Sequence, residues 1–212
     1  MAGKNSTEHI VTINQLFYEA VVKDDSRVLF LLDTAKAFDS IDHEWVHHVL
    51  RQTGLPLWLR NFVKGSLHGV KVAPVFGGDL SDWIDILRGV KQGCPLSPLL
   101  FIIAYDPLLY HLKHLLEIRS FAYADDLALF CSSVRAIFLA LELVDVFSLV
   151  SGLGVNKDKS AADPTGPTDT WPGIQSTLAK GPWKDLTVKA RATLGHSCWS
   201  WCHFGGSVGG AR

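Results

Sequence analysis

Residues 118–132 read IRSFAYADDLALFCS, which places two adjacent carboxylates inside an otherwise apolar segment. Side chains alternate between two faces before Asp125 and again after Asp126, as they do along half-buried β-strands. Aspartate is tolerated in tight hairpin turns. The stretch therefore predicts two short strands joined by Asp125 and Asp126, with both carboxylates at the hairpin tip. A solvated turn is the ordinary interpretation of such a pair, and a functional one requires a third acid nearby.

The composition is that of a folded globular protein. The chain has 212 residues, of which 48% are hydrophobic and 19% charged, so it is long enough for a well-buried domain. Its first twenty residues contain no apolar run of a signal peptide. The most apolar segment, residues 96–116, is interrupted by Asp106, Pro107 and Lys113, so no membrane span is predicted.

Charge and cysteine content restrict the classes of function. The formal net charge is −1, which argues against a strong electrostatic footprint for nucleic acid. The cysteines form no small disulfide framework, which favours an intracellular protein with reduced thiols, either nuclear or cytoplasmic. They are Cys94, Cys131, Cys198 and Cys202.

The rest of the chain alternates between helical and extended patterns. Arg27–Leu32 (RVLFLL) is a continuous apolar run that ends at Asp33, as in a central strand covered on both faces. Asp42 or Ser40 can cap a following helix, which Gly54 and Pro56 end. Further predictions are helices over 6–22, 57–68 and 134–150, strands near 70–76 and 82–87 with Gly77 and Gly78 between them, and a long helix with Ser97 as cap and Pro98 in its first turn.

Three acids come together if these strands are neighbours. Asp33 closes one buried strand and Asp125 and Asp126 occupy the hairpin tip, so adjacency in one sheet would make their carboxylates converge. Like charges raise each other's pKa, and divalent cations would relieve that cost because hard ions such as Mg²⁺ prefer carboxylate oxygen. Two such ions can activate an attacking hydroxyl and stabilise a leaving pyrophosphate.

Four motifs in order make the chain resemble the reverse transcriptase domain of non-LTR (LINE-type) retrotransposons. They are LLDTAKAFDSIDH at 31–43, RGVKQGCPLSPLLF at 88–101, FAYADDLALF at 121–130 and GLGVNKDKS at 152–160. The resemblance covers about residues 5–160 and implies an α+β polymerase palm, with an antiparallel sheet, helices packed on one of its faces, and partial fingers. It also implies two Mg²⁺ ions, for which Mn²⁺ can substitute.

The resemblance assigns roles to residues of this sequence. Asp33, Asp125 and Asp126 would be the catalytic metal ligands, and the backbone carbonyl of Thr34 would assist them. Lys159 would protonate the leaving pyrophosphate, although a plain surface lysine fits the sequence equally well.

The resemblance also implies contacts with substrates. Phe38 would be the gate that excludes a 2′-hydroxyl, where the sequence alone indicates a core aromatic at a helix start. Gln92 and Gly93 would lie beside the incoming nucleotide, because glycine lets backbone N–H groups approach closely. Tyr123 and Ala124 would pack under the primer end. Asp39 is interpreted as structural, as a helix cap.

Two histidine-containing patterns are weaker metal candidates. His43 and His47 are four apart on a predicted helix, the spacing of a zinc pair, but their charged neighbours favour a solvated face. His196, Cys198, Cys202 and His203 have metal-capable side chains at a spacing too compressed for an ordinary zinc knuckle.

Two departures from the family pattern bear on activity. Residues 1–160 contain 15 Lys and Arg against 18 Asp and Glu, where a polymerase that clamps a duplex would carry excess positive charge. Basic fingers upstream and a thumb downstream are not recognised in the sequence. Residues 1–160 are predicted to be a palm with partial fingers, and residues 161–212 an irregular tail or degenerate thumb.

The sequence therefore predicts an RNA-directed DNA polymerase that extends a primer 3′-hydroxyl with dNTPs. Its partners would be an RNA template and a DNA primer, without a membrane and with an undetermined oligomeric state. One alternative is a catalytically silent palm relic that at most binds nucleic acid or a partner. Another is an RNA-templated RNA polymerase, disfavoured by Phe38 and by the wording QGCPLSP.

Overall fold

The computed structural model describes residues 6–23, 25–165, 171–179 and 182–188. The helices are α1 (Ser6–Val22), α2 (Ala37–Ser40), α3 (His43–Gln52), α4 (Leu57–Leu67), α5 (Ser97–His114), α6 (Val134–Ser151) and α7 (Trp171–Ala179). The strands are β1 (Val28–Thr34), β2 (Lys71–Val72), β3 (Val75–Phe76), β4 (Asp79–Leu80), β5 (Ile84–Asp85), β6 (Ile118–Tyr123), β7 (Asp126–Cys131), β8 (Val155–Pro164) and β9 (Thr187–Val188).

The main sheet has five strands in the order β6-β7-β1-β8-β9. The hairpin β6–β7 is antiparallel, and β7 is also antiparallel to β1. Hydrogen bonds join Arg27 to Thr165 at one end of β1 and Asp33 to Ser160 at the other, so β8 also runs antiparallel to β1. The chain therefore has the predicted α+β architecture, with β1 in the middle of the sheet.

Both faces of β1 are buried, as its continuous apolar run predicted. On one face Leu29 packs with Ala128 and Phe130 of β7. Helix α1 covers this cluster with a row of apolar side chains at helical spacing, namely Ile13, Leu16, Phe17 and Ala20. On the other face Val28, Phe30 and Leu32 are buried as well.

The chain divides into two compact units. The first comprises residues 1–33, 115–140 and 156–212 and contains the main sheet; the second comprises residues 34–114 and 141–155. In the second unit, α3 packs on α4 and α5, and the indole N–H of Trp45 donates to the carbonyl of Ala104 at 2.9 Å.

Several predicted elements are confirmed, and one region is divided more finely. The Asp42 side chain caps α3 by accepting hydrogen bonds from the N–H groups of Glu44 and Trp45, so Asp42 and not Ser40 is the cap. The two strands predicted near 70–76 and 82–87 are four short ones, which pair as β2 with β5 and β3 with β4. Gly77 and Gly78 form the turn between β3 and β4, both with positive φ.

The predicted irregular tail contains regular structure where the structure describes it. Strand β8 runs through residue 160 to Pro164, and β9 pairs with it in parallel. Four large apolar side chains beyond it are buried, namely Ile174, Leu178, Trp183 and Leu186. Sequence periodicity missed this because SAADP contains no β-branched residue and ends in proline. The zinc candidates at 196–203 lie outside the described residues.

Cys94 and Cys131 are free thiols. In the part of the chain that the structure describes, no helix is long and apolar enough to cross a membrane.

Candidate active site

Asp33 and Asp126 lie directly opposite each other on neighbouring strands. They are Cα partners in the register of β1 and β7. The N–H of Asp33 donates to the Ser160 hydroxyl at 3.0 Å, so it points towards β8 and away from β7. The Asp33–Asp126 pair is therefore of the non-hydrogen-bonded type, in which Cα atoms approach to about 4.5 Å and side chains are closest. Two like charges directly opposite each other destabilise a sheet.

The tip of the hairpin differs by one residue from the prediction. Tyr123 pairs with Asp126, so the turn consists of Ala124 and Asp125, and Asp126 is the first residue of β7. The prediction that Asp125 and Asp126 form the turn is therefore wrong. Sequence reasoning missed this because Ala124 adopts a φ of 53°, a conformation that alanine rarely takes.

The environment of Asp33 and Asp126 opposes their ionisation. Burial, then the charges of Asp125 and Asp33, raise the pKa of Asp126 to about 6. Burial also raises the pKa of Asp33, with Lys159 opposing the shift and Asp125 adding to it. The three predicted acids thus form one electrostatic cluster at the end of the sheet where β1 ends and β7 begins.

Lys159 and its neighbours belong to the same unit as the acids. Lys159 is exposed on β8, and its charge acts on Asp33. Its backbone N–H approaches the side-chain carbonyl of Asn156 at 3.4 Å. Tyr123 and Ala124, the predicted primer-end residues, are exposed at the hairpin tip.

The donor chemistry of the cluster suits a hard divalent cation. All three side chains offer carboxylate oxygen, and their mutual repulsion is the cost that a cation removes. Within the described residues, however, no three His, Cys, Asp or Glu side chains are grouped closely enough to hold an ion. The three acids thus lie at the same end of the sheet without forming a preorganised metal-coordination site.

Phe38 and Thr34 lie in the second unit. Phe38, in α2, is half-buried and stacks on Phe101, with ring centroids 5.3 Å apart. This contact agrees with the ordinary interpretation of a core aromatic and leaves part of the ring accessible. Thr34 ends β1 and is buried.

The glycine-rich loop at 88–93 is bonded to the segment that carries Phe38. The N–H of Val90 donates to the carbonyl of Phe38 at 2.6 Å, and the N–H of Gly89 donates to that of Ile41 at 2.7 Å. A Cβ on Gly89 would lie 2.8 Å from the carbonyl oxygen of Asp39. Gly89 was not singled out from the sequence, yet this close approach requires it.

Gln92 and Gly93 lie further along this loop. The Gln92 side chain is exposed and donates to the Asp39 carboxylate at 3.3 Å, so Asp39 supports the loop side chain. Gly93 has a φ of 80°, and nothing lies within 4 Å of where its Cβ would be. The space beside Gly93 is therefore open.

His43 and His47, the spaced histidines of α3, lie in different environments. The Nε2 atom of His43 lies 2.7 Å from the carbonyl oxygen of Gly89, a hydrogen bond to the loop. His47 is 8% exposed. The prediction of a solvated face is therefore wrong for His47, because it lies on the buried stripe of α3 with Val46 and Leu50.

The sheet is antiparallel across β6, β7, β1 and β8, and it carries Asp33 near the end of its central strand and Asp125 and Asp126 in the neighbouring hairpin. This arrangement defines the class of polymerase palms. The family model that matches residues 4–167 is described as reverse transcriptase (RNA-dependent DNA polymerase). The chain belongs to this family, whose members generally use divalent metal ions.

Curated relatives identify the branch of the family. The chain is 30% identical over 153 residues to the Pol polyprotein of retrotransposable element R2 from Nasonia vitripennis, covering 69% of this chain and 15% of that protein. It is 34% identical over 135 residues to that of element R2DM from Drosophila melanogaster, covering 60% and 13%. Similarity to these proteins identifies the chain as a non-LTR reverse transcriptase domain. The chain spans about one seventh of their length.

Solved structures agree on the fold. Apo telomerase from Candida tropicalis, truncated from its C-terminal domain, matches with a TM-score of 0.60 at 14% identity, covering 76% of this chain and 36% of that one. Candida albicans telomerase in complex with a fragment of telomeric RNA matches with a TM-score of 0.56 at 14% identity, covering 74% and 30%. At these identities the similarity shows the fold alone.

Proposed function

We propose that this chain is the catalytic palm of an RNA-directed DNA polymerase, which extends a DNA primer on an RNA template with dNTPs. The observation that carries the proposal is the pairing of Asp33 with Asp126 across β1 and β7, with Asp125 beside them. A sheet that only had to be stable would not place like charges opposite each other. Membership of the reverse transcriptase family supplies the reaction class.

In this proposal Asp33, Asp125 and Asp126 hold two Mg²⁺ ions, which Mn²⁺ can replace. When bound, such ions activate an attacking hydroxyl and stabilise a leaving pyrophosphate. Lys159, whose charge acts on Asp33, supplies a proton to the leaving group. The backbone carbonyl of Thr34 adds an oxygen ligand.

The remaining proposed roles concern substrate selection. The accessible part of the Phe38 ring excludes a 2′-hydroxyl, which makes dNTPs the substrates. Gln92, held by Asp39, and Gly93, with open space beside it, lie along the incoming nucleotide. Tyr123 and Ala124, both exposed at the hairpin tip, support the primer end.

One observation favours a second function, that of a silent palm which binds nucleic acid without catalysis. The described residues contain no group of three side chains ready to hold an ion. Catalysis would then require the acids to close around a cation. A palm in which they do not close could still bind nucleic acid or a protein partner.

Primer extension on an RNA template, combined with Mn²⁺ binding and with binding of the labelled primer–template, tests both functions. We expect extension that depends on a divalent cation and falls by at least about a hundredfold in Asp125→Asn, because charge stabilisation by bound metal ions contributes several kcal/mol. Asp79→Asn, at an exposed acid of β4, is the matched control and should retain activity. Binding of the primer–template without cation binding or extension would indicate the silent palm. Extension that survives Asp125→Asn would refute the site, and absence of extension, cation binding and primer–template binding would refute both proposals.

A further inference from the structure

The hydroxyl of Ser160 links the backbone of Asp33 to that of β8. It accepts a hydrogen bond from the Asp33 N–H at 3.0 Å and donates one to the carbonyl of Asn156 at 2.7 Å. Ser160 is 1% exposed. A side chain rather than a backbone carbonyl therefore satisfies the N–H of an acid in the cluster.

The stretch of β8 that presents this hydroxyl also carries Lys159. The bond from Ser160 to Asn156 spans four residues, and the side chain of Asn156 approaches the N–H of Lys159 at 3.4 Å. The same short segment thus fixes the backbone of Asp33 and the position from which the lysine extends. Removing the hydroxyl leaves the Asp33 N–H without this partner in a partly buried setting, which is unfavourable for a polar group. A shift of the Asp33 backbone would relieve that cost.

We propose that Ser160 is a positioning residue, whose hydroxyl holds the Asp33 carboxylate where it can ligate a divalent cation. This inference rests on the proposed function, because it assigns Asp33 to the cation site. Groups that orient metal ligands typically contribute 10- to 100-fold in metal affinity or activity, as an order of magnitude. Ser160 acts through Asp33 and itself touches neither cation nor substrate.

Ser151 provides a matched control in the second unit. It is 0% exposed, accepts a hydrogen bond from the Leu153 N–H at 3.1 Å, and donates one to the Phe147 carbonyl at 2.6 Å. Its hydroxyl thus makes the same two kinds of bond as that of Ser160, but to the N–H of a leucine. Ser151→Ala reproduces the loss of stability without touching an acid.

The test measures Mn²⁺ affinity of the 212-residue chain by electron paramagnetic resonance. We expect Ser160→Ala to bind Mn²⁺ roughly tenfold more weakly, Ser160→Thr to recover most of the affinity, and Ser151→Ala to bind like the parent. Equal weakening by Ser160→Ala and Ser151→Ala would overturn the proposal, since it would reflect general destabilisation. The proposal would also be overturned if Ser160→Ala bound Mn²⁺ like the parent while Asp33→Asn bound it weakly. That result would leave the proposed function intact. Unchanged binding by Asp33→Asn would instead refute the proposed cation site.

A second measurement applies even if Ser160→Ala does not fold. Amide hydrogen exchange in the parent chain should show the Asp33 N–H protected at least tenfold more than the N–H of Ala124, which is exposed in the hairpin turn. An Asp33 amide that exchanges as fast as that of Ala124 would overturn the proposal, because the hydroxyl would then not hold it.

Discussion

At the scale of single residues, the hairpin tip combines charge with backbone strain. Ala124 has a φ of 53°, while Asp125 beside it has no positive φ. A positive φ at the first position of a two-residue turn is the type II′ pattern, which prefers glycine there. Alanine in a left-handed conformation costs roughly 1–2 kcal/mol. The chain therefore keeps a strained residue next to an acid of the candidate site, as strained backbones at functional sites commonly are.

Ala124→Gly should relieve this strain and stabilise the chain. The gain is reduced by about 0.4–1 kcal/mol because glycine has more freedom in the unfolded state, so we expect roughly 1 kcal/mol net in chemical denaturation. Ala122→Gly, in strand β6, is the control and should destabilise the chain. A loss of stability in Ala124→Gly would show that the turn does not strain Ala124.

His47 should make the chain sensitive to acid. Burial lowers its pKa below the usual 6.5; Lys64, His43 and Arg51 add to the shift, and Glu44 opposes it. In the unfolded chain His47 is protonated below about pH 6.5, whereas the folded chain keeps it neutral. Its contribution to stability is therefore complete above pH 6.5 and is lost as the pH falls through the folded-state pKa.

His47→Gln should flatten the fall in unfolding free energy between neutral pH and pH 5. The expected change is about 1.4 kcal/mol for each unit by which the two pKa values differ. His48→Gln, at the exposed neighbour in α3, should leave the fall unchanged. If both variants keep the parent's slope, His47 is not a source of acid sensitivity.

Whether a functional residue could be identified from the sequence depended on how far along the chain its partners lie. The acids were identifiable because the motif containing Asp125 and Asp126 is continuous and Asp33 ends a visible apolar run. Ser160 could not be identified in this way, because its hydrogen bond to Asp33 joins residues 127 positions apart. This bond exists only once β8 lies beside β1. A local pattern carries no information on such a contact.

At the scale of elements, the loop 88–93 depends on close backbone contact. Gly89 has a φ of 87° and faces the Asp39 backbone, where a Cβ would approach to 2.8–3.0 Å. Gly93 has a φ of 80° and open space around it. The two glycines share a left-handed backbone and differ in whether a side chain has room.

Gly89→Ala should therefore destabilise the chain more than Gly93→Ala. For Gly93→Ala we expect a cost of about 1–2 kcal/mol from backbone strain alone. For Gly89→Ala, displacement of α2 or the loop adds to that strain and weakens the bonds to Phe38 and Ile41. Urea denaturation of the two variants gives the comparison. Equal costs would indicate that the loop moves aside freely and that Gly89 is needed only for its φ.

Helices and strands with a clear repeat of apolar side chains were predicted to within a residue or two. Those without such a repeat were not. Helix α1 was predicted over 6–22 and is observed as Ser6–Val22, since four of its apolar side chains repeat at helical spacing and pack against the sheet. Strand β8 was missed because its first half is partly exposed and largely charged while its second half is buried on both faces. That change of environment within one strand removes any simple alternation.

At the scale of the whole molecule, the folded part of the chain extends beyond residue 160. The sequence placed a boundary at residue 160, yet β8 crosses it and Ala161 and Ala162 are buried. Beyond β8, Ile174, Leu178, Trp183 and Leu186 are buried as well. Each such large side chain contributes about 1.5–3 kcal/mol. Together they approach the 5–15 kcal/mol that typically separates a folded domain from its unfolded state.

A chain that ends after Ser160 should therefore fail to fold stably, whereas one that ends after Val188 retains every described residue. We expect the longer chain to unfold cooperatively on heating, and the shorter one to show no cooperative transition, because it loses these side chains and the second half of β8. Limited proteolysis of the parent should accordingly leave residues 155–164 intact, since this strand is held within the sheet by β1 and β9. A shorter chain that melts at the temperature of the longer one would restore the boundary at 160.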